Sequence, residues 1–165
     1  MAEHSSPMVL VVKESHVDAF KDLVRDGADV NSRDSSGTTS LERAVSENNM
    51  ERIRALVALG ADVNSSNYKG ATPSHIACDN NHVASIRALA DLGADLDKPN
   101  NNGSTPAFKA AQNGHVALIK ALAELGADLN TSSNDGVTPV TVAAYYGHEA
   151  IIRALAELGA NLHTP

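Results

Sequence analysis

Gly27-Ala28-Asp29 returns as Gly60-Ala61-Asp62, Gly93-Ala94-Asp95, Gly126-Ala127-Asp128 and, with one change, Gly159-Ala160-Asn161, always at an interval of 33 residues. A fixed interval of this size argues against a single globular core. It calls for stacked units, each burying its apolar face against the next. The chain of 165 residues then reads as one repeat domain with units at approximately 1–33, 34–66, 67–99, 100–132 and 133–165.

Other columns keep the same step. Gly37, Gly70, Gly103 and Gly136 form one, and Thr39, Thr72, Thr105 and Thr138 another, the last three followed by Pro73, Pro106 and Pro139. His82, His115 and His148 share a column, as do Ile53, Ile86, Ile119 and Ile152, and Leu56, Leu89, Leu122 and Leu155. Each unit therefore has a local reading. Thr caps the free amides of a first helix, and Pro fits its first turn. In the second unit Thr39 and Glu42 make a capping box. Paired small residues, Ala77-Cys78, Ala110-Ala111 and Ala143-Ala144, let helices of adjacent units approach closely. The first helix stops at Asn48, Asn81, Gly114 or Gly147, residue types that tolerate the left-handed conformation. A second helix carries Ile86, Leu89 and Leu92 and their equivalents on one face. It ends at the Gly-Ala-Asp glycine, and a polar turn such as "DLDKPNNNG" leads to the next unit.

Three of these segments, "GATPSHIACDNNHVASIRALADLGADLD", "GSTPAFKAAQNGHVALIKALAELGADLN" and "GVTPVTVAAYYGHEAIIRALAELGANLH", resemble ankyrin repeats: G-x-T-P, then A-A, G-H and L-x-x-G-A-D. The likeness covers nearly the whole chain. It implies an all-α solenoid of stacked helix-turn-helix units joined by hairpin loops. The first unit is degenerate, with Ser6-Pro7, Val11-Val12 and Ser15-His16 in the Thr-Pro, Ala-Ala and Gly-His slots, as expected of an end unit with one uncovered face. In the last unit Glu149 replaces Val83 and Val116 as a partial cap, yet Ile151, Ile152, Leu155 and Leu158 keep the internal pattern. A natural terminus, a chosen boundary and a piece of a longer array all fit an end at "NLHTP".

Composition narrows the function classes. Hydrophobic content of 42% and charged content of 20% are ordinary for a folded chain. Aromatics make up only 3%, with no Trp, so Ala, Leu, Ile and Val must build the core. The net charge of −7 and 13 scattered basic residues argue against nucleic acid as the partner. A single cysteine fits a reducing compartment. The apolar run Met8 to Val12 is too short for a secretory signal, and no stretch approaches a membrane span. The cytosol is the expected location, with the nucleus as an alternative, and a monomer is the expected state.

The stretch "HIACDNNH" tests this reading, because His75, Cys78 and His82 would share one face of a continuous helix, and imidazole and thiolate are common zinc ligands. The repeat register separates them. Asn81 takes the helix-ending position and puts His82 beyond the first helix. Cys78 takes a small buried slot. The resemblance makes His75 a residue that braces loops by hydrogen bonding. No metal or cofactor is implied. No Ser-His-Asp, Cys-His, phosphate-loop or paired-carboxylate arrangement stands out, so no catalytic residue is assigned. The recurrent Asp of Gly-Ala-Asp is read as starting a turn and satisfying backbone amides there.

The resemblance also implies where binding occurs: the hairpin tips and the exposed face of the first helices, which form a concave surface. In this chain those slots hold Ser35, Ser36, Ser46 and Glu47; Tyr68, Lys69, Asp79 and Asn80; Asn101, Asn102, Gln112 and Asn113; and Asn134, Asp135, Tyr145 and Tyr146. They are read as free to vary because the stack does not use them. All three tyrosines fall in these slots, and tyrosine is enriched at interface hot spots. The alternative for Tyr145 and Tyr146 is packing at an unprotected end; Phe108, in the slot of His75, is read as a packing variant. Animal ankyrin proteins add one more candidate. Asn31, Asn64 and Asn130, with Leu23, Leu56 and Leu122 eight residues earlier, resemble positions modified by an asparagine hydroxylase. The plainer reading is that Asn suits a hairpin. The function this supports is a non-enzymatic scaffold for protein–protein interaction. The alternative is the repeat portion of a larger protein, an enzyme or bacterial effector, whose activity lies outside this chain.

Overall fold

Helices of seven or nine residues are too short to persist alone in water, so packing must hold them. The computed structural model describes residues 17–162 and shows how. Among the described residues there are nine helices. α1 (Val17–Arg25) is followed by the pairs α2 (Ser40–Ser46) and α3 (Met50–Ala58), α4 (Pro73–Asp79) and α5 (Val83–Asp91), α6 (Pro106–Gln112) and α7 (Val116–Glu124), and α8 (Pro139–Tyr145) and α9 (Glu149–Glu157). The seven-residue helices α2, α4, α6 and α8 stack as an inner layer, and α1, α3, α5, α7 and α9 as an outer one. The fold is an all-α solenoid. Its only β pairing among the described residues is an isolated bridge between Arg33 and Thr39. Ser6-Pro7, Val11-Val12, Ser15-His16, His4 and His163 lie outside the described residues.

The helix starts follow from the recurring threonine. Thr39, Thr105 and Thr138 each accept a hydrogen bond from the backbone N–H three residues on. The expected box closes at Thr39, whose N–H donates to Glu42 Oε2 at 3.0 Å. The helix stops follow from the left-handed residues. Asn48 (φ 53°), Asn81 (φ 59°), Gly114 (φ 76°) and Gly147 (φ 73°) reverse the chain. The next residue's N–H, at Asn49, His82, His115 and His148, then bonds back to the carbonyl of Ala44, Ala77, Ala110 and Ala143.

The hairpins repeat as closely. The side chains of Asp34, Asn67 and Asn100 each accept from the backbone amides two and four residues on, at 2.9 to 3.1 Å. These bonds hold the tip in a turn without a sheet.

The core runs the length of the stack. Ile53, Ile86, Ile119, Leu56, Leu89, Leu122 and Leu155 are fully buried, as are Ala77, Cys78, Ala110 and Ala111. At the last unit the same columns open. Ala144 is exposed and Ile152 only partly buried. Among the described residues nothing stacks beyond α8 and α9 to cover them.

Candidate interaction surface

The hairpin tips and the outward face of the inner helices enclose two cavities of about 550 Å³ each, with Asn102 on the rim of both. The first lies over α6 and α8. Phe108, Val137 and Val142 form its apolar lining, and Gln112, Asp135, Tyr145 and Tyr146 its polar and aromatic lining. The second lies over α4 and α6, between Tyr68, Lys69, Asp79, Asn101 and Lys109, with His75 at its base.

The three tyrosines are exposed, Tyr68 by 78%, Tyr145 by 83% and Tyr146 by 52%. Tyr145 is the most open of the three. The rings of Tyr145 and Tyr146 meet edge to face, with centroids 5.1 Å apart and planes at 84°. Tyr146 also stacks on the His148 imidazole at 6.1 Å and 19°. That imidazole is itself held, its Nε2–H donating to the Gln112 carbonyl at 2.9 Å. Lys69 Nζ lies 5.7 Å from the Tyr68 ring centroid, within cation–π range. Lys109 Nζ is shared between Asp79 Oδ1 at 3.2 Å and Gln112 Oε1 at 2.9 Å.

The cavities gather most of the predicted contact slots, but not all. Ser35, Ser36, Ser46 and Glu47 of the second unit, and Asn80, Asn113 and Asn134, line neither. Asn80 turns back to its own helix, donating to the Ile76 carbonyl at 2.8 Å. Asn113 donates to Asp79 Oδ1 at 3.2 Å. The expectation that the stack leaves all these slots free needs correction: the Asn113–Asp79 bond crosses between units, and two hairpin asparagines make such bonds as well. Asn101 Nδ2 donates to the Tyr68 carbonyl and Asn134 Nδ2 to the Asn101 carbonyl, both at 3.0 Å. Their backbone amides add bonds to the Lys69 and Asn102 carbonyls at 3.1 and 2.9 Å. These asparagines tie each hairpin to the one before it.

Lys109, Val142 and Thr141 were not among the sequence candidates, yet they line the cavities. Their signal lay in the register. One inner-helix column reads Arg43, Ile76, Lys109 and Val142, and its neighbour Glu42, His75, Phe108 and Thr141, with no shared type. Phe108 packs, at 8% exposure, and also lines a cavity.

The "HIACDNNH" residues part company. His75 is buried. Its Nδ1 accepts from the Thr72 N–H at 3.2 Å, which places its proton on Nε2, and Nε2–H donates to the Ser104 carbonyl of the next unit at 2.8 Å. Burial lowers its pKa below 6.5, outweighing the Ser104 bond and the charge of Asp79, and Lys109 lowers it further. Cys78 is fully enclosed, and burial, with Asp79 adding, pushes its thiol far above its ordinary range. His82 lies past the left-handed Asn81 and gives its Nδ1–H to the Val45 carbonyl, 3.0 Å away in the preceding unit.

The Gly-Ala-Asp motif does satisfy amides, and it also links units. Asp29, Asp62, Asp95 and Asp128 accept from the N–H of Asn31, Asn64, Asp97 and Asn130 at 2.8 to 2.9 Å. Those side chains then accept from the N–H of Asp62, Asp95, Asp128 and Asn161 in the following unit at 2.6 to 2.8 Å. Asn31, Asn64 and Asn130 are therefore inter-unit struts, with Asp97 doing the same work in the unit between.

Comparison with known proteins agrees with this architecture. No curated protein matches the chain. Among the described residues no helix is long and apolar enough to cross a membrane. The family model described as ankyrin repeats (3 copies), repeats that generally serve as protein–protein interaction modules and are typically non-catalytic, matches residues 8–100 and 92–165. The chain belongs to the ankyrin-repeat family.

Proposed function

We propose that the groove over α4, α6 and α8 docks a partner protein, with Tyr145 and Tyr146 as the main anchors and Tyr68 as a more distant contact. The observation that carries this is the position of the tyrosines. A chain with 3% aromatics keeps all three of its tyrosines exposed on one surface, two of them beside an apolar-lined cavity. Exposed tyrosine contributes large contact area with few torsions to freeze, so binding carries little ordering cost. The scaffold contributes rigidity, since the hairpins and inner helices are fixed by repeated backbone bonds.

A photo-reactive residue placed at Gln112, in the groove, should cross-link a partner in native lysate. The same residue at Lys120, exposed on the outer helix α7, should not. The groove adduct should vanish when Tyr145 and Tyr146 are both changed to Ala. Equal cross-linking from both faces, or an adduct indifferent to the double change, would rule the groove out.

A further inference from the structure

The cavity over α6 and α8 carries more chemistry than a docking groove requires. Tyr145 and Tyr146 stand perpendicular and make a two-walled corner of electron-rich rings. His148 supports one wall, so Tyr146 is oriented before anything binds. Asp135 lines the same cavity, and it has no ion pair among the described residues. No lysine or arginine lines it. Of the two lysines of the adjoining cavity, Lys109 is already engaged by Asp79 and Gln112, and Lys69 lies by the Tyr68 ring. The chain as a whole carries −7. Aromatic faces, an uncompensated carboxylate and an acidic surround all favour a cation and disfavour an anion.

We infer that the Tyr145–Tyr146 corner with Asp135 is a subsite for an arginine side chain on an extended segment of the partner. This rests on the groove reading above and adds the chemistry of its occupant. A guanidinium suits the site better than an ammonium for two reasons. It is flat and weakly hydrated, so it can lie against a tyrosine face, and it can still give paired N–H donors to a carboxylate. Its alkyl stem would run over Phe108 and Val142, which face the cavity. The neighbouring cavity, with Lys69 and Lys109, lacks this character.

The test is a magnetic-resonance titration of the full chain with two capped Ala/Gly pentapeptides at matched salt. One has a central arginine and the other citrulline, its neutral isostere. The arginine peptide should give saturable shifts at Tyr145, Tyr146 and Asp135, with a Kd of order ~1 mM for so short a probe. The citrulline peptide should bind about tenfold more weakly. Tyr146→Leu keeps apolar area but removes a ring face. It should weaken the arginine peptide about fivefold and leave the citrulline peptide unchanged. Asp135→Asn, at an exposed hairpin tip, should act in the same direction without affecting the fold. Equal affinity for the two peptides would overturn the arginine subsite and leave the groove reading standing. Arginine shifts elsewhere on the surface, or none that saturate, would overturn it as well. Cross-linking indifferent to the tyrosines would instead overturn the groove reading itself, whichever peptide is preferred.

Discussion

The imidazole of His75 joins two units: its Nε2–H reaches the Ser104 carbonyl at 2.8 Å, while its Nδ1 accepts from the Thr72 amide at 3.2 Å. Only the neutral ring can do both. A proton on Nδ1 would face the Thr72 N–H and leave that amide without an acceptor inside the core, where an unpaired amide is costly. This pairing, with the burial that depresses the His75 pKa, makes the sign of a pH effect definite. The unfolded ring takes a proton near 6.5, the folded one only below that. As pH falls below 6.5 the unfolded state therefore gains protons first. Full stability is present above that value and declines toward the depressed folded pKa. Denaturant unfolding at neutral pH and at about pH 5.5 should show a drop in wild type that is smaller in His75→Gln. An equal drop in both would assign the effect to the other histidines.

Asp34 marks the acid limit in the same way. Burial raises its carboxyl pKa. Bonds from the Ser36 hydroxyl, the Thr38 and Ser36 amides and the Arg43 guanidinium outweigh that and hold it at about 2, against an ordinary 3.8. Its share of stability is complete above 3.8 and is lost as pH falls through about 2. The equivalent hairpin residues of the next two units are Asn67 and Asn100, so Asp34→Asn can keep the turn and lose only the 2.8 Å ion pair with Arg43. A cost of about 0.5–1 kcal/mol is expected for Asn and about 1–3 kcal/mol for Ala, which empties the turn of its acceptor. Chemical denaturation at pH 7 measures both, and equal costs would contradict the turn role.

At the hairpin tips, neighbouring groove positions should behave differently. Asn101→Ala removes a bond to the preceding hairpin and should cost about 1 kcal/mol. Gln112→Ala should stay within about 0.5 kcal/mol. Gly70→Ala should be worse than either. Gly70 sits at φ +75°, and an added Cβ would meet the Asn101 backbone nitrogen at 2.6 Å. The left-handed strain and the collision act together, so a loss of about 2 kcal/mol or more is expected. Thermal melting of the three variants gives the order, and a tolerated Gly70→Ala would mean the hairpins can slide past one another.

Cys78 should be chemically silent. Its side chain is fully buried, and burial raises its thiol pKa, so thiolate is scarce at neutral pH. A thiol reagent should modify it only as fast as the protein unfolds. Cys78→Ala should cost about 1 kcal/mol or less, because the same column holds Ala111 in the next unit. Rapid labelling of native protein would show that the inner helices open locally.

The sequence determined the local elements by itself. A threonine cap, a left-handed Asn or Gly and a 33-residue step act within a helical turn or as a simple count, so they can be read from neighbours along the chain. Asn48 and Asn81 as helix stops, Thr39 with Glu42 as a capping box, and the separation of His75 from His82 were all legible this way. The tertiary structure alone decided what crosses between units. Whether Asn101 is a free contact or a tie depends on how closely two hairpins approach, which no single unit specifies. Ala111 is buried while Ala144, in the same column, is exposed, because a following unit packs on the first and none does on the second among the described residues. The groove has the same origin. Tyr145, Tyr146 and Asp135 come from one unit, but the lining they share with Phe108 and Gln112 comes from the unit before it, and only stacking brings the two together.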